Sequence, residues 1–323
     1  MKPRFHPPLW EQRRICIAQT LYQQRAQSVV DVGCGEGNVL AFLASPGPND
    51  EHPITQLFGV DVSADALRTA HERLQPGAAD RRDLRVDPLS VRLFHGDAAV
   101  PVAGVRADAV VCSEVIEHVY ERTGVSALTR AVLGGYRPAL ALFTTPNAEF
   151  NVNFPALGYG TPGARFRDAD HKFEWTRAQF AAWAGAAARE FGYTVELRGI
   201  GLAMRNAAAD FAPCGGCTQM AVFARLPGAG PAVGAVTGDP PRPLPPIDYP
   251  AYTQPQLGAA ALLALVRGVA LDIGDGPRGF RADRLWSVLE VQQQFKRRRA
   301  LEAWLGAQPA FTRQPDGAFT VNA

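Results

Sequence analysis

The sequence has no apolar run that approaches the roughly 20 residues needed to cross a bilayer as a helix. Its first residues, Met1 to Pro8, also lack the apolar centre of a secretory signal. Both absences argue against a membrane-bound or secreted protein. We therefore expect a cytoplasmic protein with no membrane partner.

Cysteine is scarce, with five residues in a chain of 323. This number is too small for a disulfide framework in a chain of this length. Cys16, Cys34 and Cys112 lie in segments with core-like patterns, so we expect reduced thiols. Cys214 and Cys217 form a lone C-x-x-C pair without a second cluster of ligands, which favours a structural role over a zinc site.

The chain also has little net charge, because 33 Lys and Arg residues nearly balance 31 Asp and Glu residues. The field of the whole molecule therefore neither requires nor excludes an anionic partner, and any binding of nucleic acid must be local. The composition is 47% hydrophobic and 20% charged, which is typical of a globular protein with one large core plus appendages. Collagen-like, coiled-coil and mostly disordered chains are excluded.

Short apolar runs alternate with helical patterns through the first two thirds of the chain. This alternation predicts an α/β fold with a doubly wound, mostly parallel sheet. A helix over residues 9–24 precedes the sheet. The predicted strands are 28–32, 57–61, 91–94, 109–112, 139–143, 194–197 and 219–223, and further helices are predicted at 38–43, 64–74 and 176–191.

Composition divides the chain into three parts. Residues 1–226 form the predicted catalytic-type domain. Residues 227–250 are so rich in proline and glycine that we interpret them as a linker. Residues 251–323 are predicted to be a small, mainly helical region of unknown role, with helices over 257–271 and 282–305.

A glycine-rich turn follows the first predicted strand and contains Asp31, Gly33, Gly35 and Gly37. Glycine tolerates positive φ and has no side chain, so the backbone can approach a ligand at the carboxyl edge of the sheet. The spacing is G-x-G-x-G rather than the G-x-G-x-x-G of dinucleotide-binding turns. Asp31 suits a cationic amino-acid group better than a phosphate. The turn therefore predicts a nucleotide-like ligand with a cationic end.

Two further acids follow neighbouring strands. Asp61 ends the second strand, where an acid binds ribose hydroxyls in folds of this kind, and Asp97 follows the third strand, in position to meet an adenine amino group. Together with the glycine turn they resemble the ligand-binding motifs of class I S-adenosylmethionine methyltransferases, which have a Rossmann-like, seven-stranded sheet. We include Ser113, at the end of the fourth strand, among the predicted cofactor contacts.

Glu114, Glu117 and His118 follow the fourth strand at positions i, i+3 and i+4, which share one face of a helical turn. Two carboxylates and one imidazole suit a divalent ion such as Mg²⁺ or Mn²⁺. His171, in a polar loop before a helix, is the best candidate for a fourth ligand. The alternative is a solvated helix face that carries Glu and His by chance.

A set of motifs together resembles one family; it comprises residues 5–13, the glycine turn, and residues 114–118, 145–151, 170–177 and 217–219. In these residues the chain resembles the HEN methyltransferases, which place a 2′-O-methyl group on the 3′-terminal nucleotide of small RNAs. The resemblance implies that Glu114, Glu117, His118 and His171 hold Mg²⁺. The absence of double-stranded-RNA-binding regions favours the animal type, which acts on single-stranded piRNAs, and implies a PIWI/Argonaute-class partner that presents the RNA.

Several details stay open at the level of sequence. His118 or His171 is the candidate general base. Two rival functions remain, namely a small-molecule O-methyltransferase of the quinone-biosynthesis type and a non-catalytic RNA-binding scaffold. Residues 158–164 form an apparent insertion and 203–212 a loop without a clear counterpart. Candidates for RNA contact lie in and around the polar loop that contains His171. They are Arg165, Arg167, Lys172 and Arg177 for phosphates, and Phe166, Phe173 and Trp175 for bases.

Overall fold

A computed structural model describes residues 3–45, 54–82, 85, 87–201, 213–228, 238–251, 256–274 and 279–322. The loop 203–212 lies outside the described residues. The chain divides into two compact units: the first comprises residues 1–45, 54–75 and 90–247, and the second comprises 46–53, 76–89 and 248–323. No helix in the described part of the chain is long and apolar enough to cross a membrane.

The first unit contains the central sheet. Its main strands are β1 (Ser28–Val32), β2 (Gln56–Asp61), β3 (Leu89–His95), β4 (Ala109–Ser113), β5 (Leu140–Pro146), β6 (Tyr193–Ile200) and β7 (Thr218–Arg225). They lie in the order β6-β7-β5-β4-β1-β2-β3. Strands β1 to β5 pair in parallel, whereas β7 runs antiparallel to both β5 and β6. The predicted mostly parallel α/β sheet is confirmed.

Helices alternate with the strands along most of the chain, and α1 precedes the first strand. They are α1 (Leu9–Gln23), α2 (Asn38–Ala44), α3 (Ala64–Arg73), α5 (Thr123–Thr129) and α6 (Arg177–Phe191), and α4 (Ala78–Arg82) belongs to the second unit. A capping box starts α6, because the Thr176 hydroxyl accepts from Gln179 N–H and the Gln179 side chain accepts from Thr176 N–H. Gly192, with φ of +76°, ends the same helix.

The central strands of the first unit are apolar on both faces because both faces are buried in its core. Residues 29–32 of β1, 109–112 of β4 and all of β5 are buried, as expected for parallel strands covered on both sides. Phe143 packs edge-on against Phe223 and Trp183, with ring centroids 5.7 and 5.2 Å away. Because the parallel strands all end at one edge, the loops after β1, β2, β3 and β4 converge there.

The segment predicted as a linker is described at residues 227–228 and 238–250. It contains two short strands, β8 (Arg242–Pro243) and β9 (Ile247–Tyr249). Strand β8 pairs antiparallel with the end of β3, placing Phe94 opposite Pro243 and His95 opposite Arg242. The described proline-rich residues 242–243 therefore extend the sheet at its edge, where a strand can accommodate proline. The division of the chain at 226 and 250 stays a prediction.

The second unit contains α7 (Ala259–Ile273), α8 (Ala282–Trp286), α9 (Leu289–Phe295), α10 (Arg298–Ala307) and the hairpin β10 (Phe311–Arg313) and β11 (Phe319–Val321). The prediction of one helix over 282–305 was wrong, because Val288 is extended and Lys296 has φ of +56°. Lys296 and Arg297 also pair with Asp87, at 3.6 and 2.7 Å. Asp87 therefore offsets part of the positive charge of the Lys-Arg-Arg-Arg sequence at residues 296–299.

Candidate cofactor cavity and metal site

The glycine turn adopts left-handed backbone at Gly33, Gly35 and Gly37, with φ of +72°, +51° and +72°. A Cβ added at Gly33 would lie 2.5 Å from Val115 Cγ2, and one at Gly37 would lie 3.0 Å from Ala70 Cβ. A Cβ at Gly35 would meet no atom within 4 Å. Gly33 and Gly37 therefore allow close packing within the protein, whereas Gly35 borders open space where a ligand can approach the backbone.

That space is a cavity of about 280 Å³ at the carboxyl edge of β1. Five of the residues predicted to bind a cofactor or metal line it, namely Asp31, Gly33, Gly35, Ser113 and Glu114. Helix α1 covers another side of the cavity with Trp10, Arg13 and Arg14. Gly37 is not among the lining residues.

Asp31 has no cationic partner among the described residues and is only 2% exposed. Burial, with a smaller contribution from the nearby Asp61, raises the pKa of Asp31 to about 8. An isolated carboxylate is costly in such a place unless a cation neutralises it. The ammonium and sulfonium groups of S-adenosylmethionine are cations of this kind, so the chemistry of the cavity fits the amino-acid end of that cofactor.

Asp61 supports the glycine turn. Its Oδ2 accepts a hydrogen bond from Gly35 N at 2.7 Å, and its Oδ1 accepts one from Ser63 N at 2.8 Å. Asp97 lies elsewhere. Its Oδ1 accepts from Ala99 N at 2.8 Å, and it lines a separate cavity of about 980 Å³ rather than the one beside Asp31. The roles predicted for both acids toward ribose and adenine stay predictions.

The polypeptide after β4 does not form the expected single helical turn. Glu114 has φ of +56°, and its N–H donates to Thr144 O at 2.9 Å, which continues the pairing of β4 with β5. Only Ile116–His118 form a 3₁₀ turn. The i, i+3, i+4 argument for Glu114 was therefore wrong in its geometry, because sheet pairing holds this residue out of the helix.

Three of the four predicted metal ligands, Glu117, His118 and His171, nevertheless lie close together, and we call these three residues the metal group. One ligand atom each from Glu117, His118 and His171 lies within 4.8 Å of the others. Glu117 is 1% exposed, and its Oε2 accepts from Thr145 Oγ1 at 2.9 Å. Burial, together with the charge of Glu114, raises the pKa of Glu117 to about 8. A divalent cation would relieve this penalty, so the donor set fits such an ion.

Each histidine of the group is oriented by a carboxylate. His118 Nδ1 lies 3.1 Å from Asp170 Oδ2, and His171 Nδ1 lies 2.7 Å from Glu174 Oε1. The two rings meet edge to face with centroids 4.9 Å apart. Carboxylates commonly orient metal-binding histidines in this way, and here they leave Nε2 of each ring for a metal or a proton.

Glu174 is itself held firmly. Its Oε1 also accepts from Arg167 N at 2.7 Å, and its Oε2 accepts from Asn151 Nδ2 at 2.5 Å. Burial raises the pKa of Glu174, but the hydrogen bonds from His171, Arg167 and Asn151 outweigh burial and keep it below its ordinary value. This role of Glu174 was not predicted from the sequence, although Glu174 stands three residues after His171 in the same polar loop.

Glu114 is not part of the three-residue group. Its Oε1 accepts from Thr144 Oγ1 at 2.9 Å, and its Oε2 lies 3.5 Å from the Arg13 guanidinium. Its role as a metal ligand stays a prediction. Arg13 was also missed, although it belongs to the amino-terminal motif that carried the family resemblance. It places a positive charge from α1 at the boundary between the cofactor cavity and the acids after β4.

The prediction of RNA contacts was wrong for three residues of the loop around His171, namely Arg167, Phe173 and Trp175. Phe173 and Trp175 are 6% exposed and belong to the core, so they are not available to stack on bases. Arg167 is occupied inside the protein, where it donates to Asn151 Oδ1 and to the carbonyl oxygens of Asn147 and Cys217. Phe166, by contrast, is 45% exposed. The loop is thus built around internal hydrogen bonds, which keep Glu174 and His171 in place.

Comparisons with known proteins identify the fold and the family. Residues 30–141 match a family described as a methyltransferase domain. The sheet order and the cavity define a class I S-adenosylmethionine-dependent methyltransferase fold. The methyltransferase domain of the bacterial protein CtHen1 is 30% identical, with a TM-score of 0.52 over 67% of this chain and 99% of that chain. The chain therefore belongs to the HEN1 family.

Two relatives show how widely the likeness extends. The small RNA 2′-O-methyltransferase of Schizosaccharomyces pombe is 36% identical over 68% of this chain and 61% of its own length. That of Rattus norvegicus is 34% identical over 68% of this chain and 52% of its own length. The structure of the small RNA methyltransferase HEN1 has 27% identity and a TM-score of 0.59, and covers 78% of this chain and 28% of that one. The chain thus spans about half of these curated relatives.

Proposed function

We propose that this protein transfers a methyl group from S-adenosylmethionine to the 2′ oxygen of the 3′-terminal ribose of small RNAs, with Mg²⁺ or Mn²⁺ bound. The observation that carries the proposal is the cluster of Glu117, His118 and His171. Glu117 and His118 follow strand β4, and Ser113 at the end of that strand lines the cofactor cavity. The names of the relatives as small RNA 2′-O-methyltransferases support the same acceptor.

The residues of the site would divide the work. Asp31 and the backbone at Gly35 bind the methyl donor. Glu117, His118 and His171 would hold a divalent ion, which supplies Lewis-acid activation and orientation of a vicinal diol. Asp170 and Glu174 keep the imidazoles turned toward the acceptor. A histidine that uses Nε2 as a ligand cannot use the same atom as a base, so His118 or His171 can accept the 2′ proton only if its own Nε2 is not bound to the ion.

Only the 3′-terminal ribose of an RNA has free 2′ and 3′ hydroxyls, so a site that requires both hydroxyls selects the 3′ end. An internal ribose has its 3′ oxygen esterified and offers only one free hydroxyl. We include in the proposal that the RNA is single-stranded and of the piRNA type, that a PIWI/Argonaute-class protein presents it, and that the reaction takes place in the cytoplasm.

The deciding experiment compares methyl transfer from labelled donor to RNAs that end in a 2′,3′-diol, a 2′-deoxyribose or a 3′-phosphate. We expect labelling of the diol alone, in single strands more than in duplexes. Labelling of the 2′-deoxy end would refute the proposal. Methylation of phenolic small molecules, with all RNA ends inert, would support the quinone-type alternative.

A further inference from the structure

The cavity of about 980 Å³ beside Asp97, the predicted adenine contact, is also lined by arginines to which the proposed reaction gives no role. It is formed by three stretches of the first unit, namely the loop after β3, the beginning and end of α5, and residues around β8. The cavity is open to solvent and larger than the cavity beside Asp31. Its charged lining residues are Asp97, Arg122, Arg130, Asp239 and Arg242.

The three arginines distinguish this cavity from the rest of the site. Arg122, Arg130 and Arg242 are exposed, and none forms an ion pair within the part of the chain that the structure describes. Arginine near the metal group behaves differently, since Arg167 and Arg177 both donate to internal oxygen atoms. Guanidinium groups present paired donors that match phosphate oxygens. Here they outnumber the two carboxylates of the cavity.

The segment that carries Arg242 is held in place by backbone contacts with the end of β3. Strand β8 pairs with β3, which sets Arg242 opposite His95. A Cβ at Gly96 would lie only 2.8 Å from the Cα of Pro241, so these backbones are in direct contact. The segment is therefore anchored next to Asp97, and Arg242 keeps a defined place at the cavity.

Arg122 connects the cavity to the metal group along the chain. It stands four residues after His118, and four residues of extended chain span at most about 14 Å. An RNA whose terminal ribose lies at His118 would therefore have its preceding nucleotides within reach of this cavity.

We propose that the arginine-lined cavity binds phosphate groups of the RNA chain upstream of its 3′-terminal nucleotide. This inference rests on the proposed function, since it assumes an RNA acceptor. The contacts would be to the backbone, so they add affinity without sequence preference. They would explain how a protein with little net charge holds a polyanion locally.

The test uses the full chain with Arg122→Gln, Arg130→Gln and Arg242→Gln combined. The control combines Arg25→Gln, Arg68→Gln and Arg189→Gln, which removes the same charge from exposed arginines outside the cavity. Binding of a single-stranded RNA oligonucleotide is measured by fluorescence anisotropy at several salt concentrations. Steady-state methyl transfer is measured with that RNA and with a dinucleotide.

We expect the cavity variant to weaken RNA binding roughly tenfold or more and to flatten the salt dependence by about 0.7 in log–log slope for each lost phosphate contact. The KM for S-adenosylmethionine and the activity on the dinucleotide should stay unchanged. Replacement of the three arginines by Lys, which retains the charge, should restore most of the binding. The unchanged KM for S-adenosylmethionine and the unchanged activity on the dinucleotide show that the Gln variant still folds.

RNA binding equal to that of the control would overturn the inference. A raised KM for S-adenosylmethionine with unchanged RNA binding would also overturn it, because the arginines would then serve the methyl donor. The proposed function fails separately: a wild-type protein that binds RNA through these arginines but methylates no 2′,3′-diol would refute that function and leave the phosphate site standing.

Discussion

His171 and Glu174 form a buried pair, with Nδ1 of the imidazole 2.7 Å from Oε1 of the carboxylate. The pair joins the metal group to the surrounding hydrogen bonds, because Glu174 also accepts from Arg167 and Asn151. Orientation of His171 therefore depends on Glu174 and on the two groups that hold Glu174, the Asn151 amide and the Arg167 backbone N–H.

Replacement of Glu174 by Gln should weaken metal binding. The amide can still accept one hydrogen bond, but it removes the charge that orients His171 and raises its basicity as a ligand. Loss of such a supporting group typically costs roughly tenfold to a hundredfold in metal affinity. Titration of activity with Mn²⁺ should show a higher half-saturating concentration, with full activity recovered at excess metal.

Asp170→Asn is the matched control, since Asp170 orients His118 but is exposed. Its effect on metal affinity should be smaller, because water can replace an exposed carboxylate. An unchanged midpoint in Glu174→Gln would show that Glu174 only stabilises the loop.

Glu117→Gln should abolish methyl transfer and leave binding of S-adenosylmethionine nearly intact. The amide keeps the acceptor for Thr145 Oγ1 but removes the negative charge from the metal group. Isothermal titration with the methyl donor and single-turnover transfer separate the two effects. Parallel loss of both would instead indicate that Glu117 supports the fold of the cofactor cavity.

Asp31 should make the stability of the protein depend on pH. Its folded pKa of about 8 lies above the ordinary value of 3.8, so between these values the folded chain holds a proton that the unfolded chain has lost. Stability should therefore fall as pH rises from about 4 to 8, by at most about 1.4 kcal/mol per pH unit from this group.

Asp31→Asn should remove that part of the pH dependence and weaken binding of the cationic methyl donor. Denaturant unfolding at several pH values, with and without S-adenosylmethionine, measures both effects. A pH profile identical to that of the wild type would show that Asp31 is ionised in the folded protein.

Gly35→Ala and Gly37→Ala should separate ligand binding from packing. Both impose a left-handed conformation on alanine, at a cost of roughly 1–2 kcal/mol. At Gly37 the added methyl group also meets Ala70 and Leu74, so the loss of stability should be larger. At Gly35 the methyl group enters open space, so weaker binding of S-adenosylmethionine should dominate. Thermal unfolding and the affinity for S-adenosylmethionine are measured on both variants. A larger loss of stability in Gly35→Ala, together with a larger loss of donor affinity in Gly37→Ala, would contradict this assignment.

The sequence by itself determined the sheet and the residues of the cofactor turn. Apolar runs that are buried on both faces allow few alternatives to parallel strands, and a G-x-G-x-G turn after a strand has few uses other than a close approach to a ligand. The polar loop before a helix also pointed to His171, which lies with Glu117 and His118 in the structure; its role as a metal ligand stays a prediction.

Only the tertiary structure decided how the side chains are used. Local spacing placed Glu114 on a helical turn, but pairing with β5 holds it beside Arg13, a residue more than a hundred positions earlier in the chain. The exposure of the aromatic side chains could not be predicted from the sequence either, since Trp175 is buried and Phe166, in the same loop region, is exposed. Arg122, Arg130 and Arg242 come together because β8 pairs with β3, and no pattern along the chain encodes contacts between such distant segments.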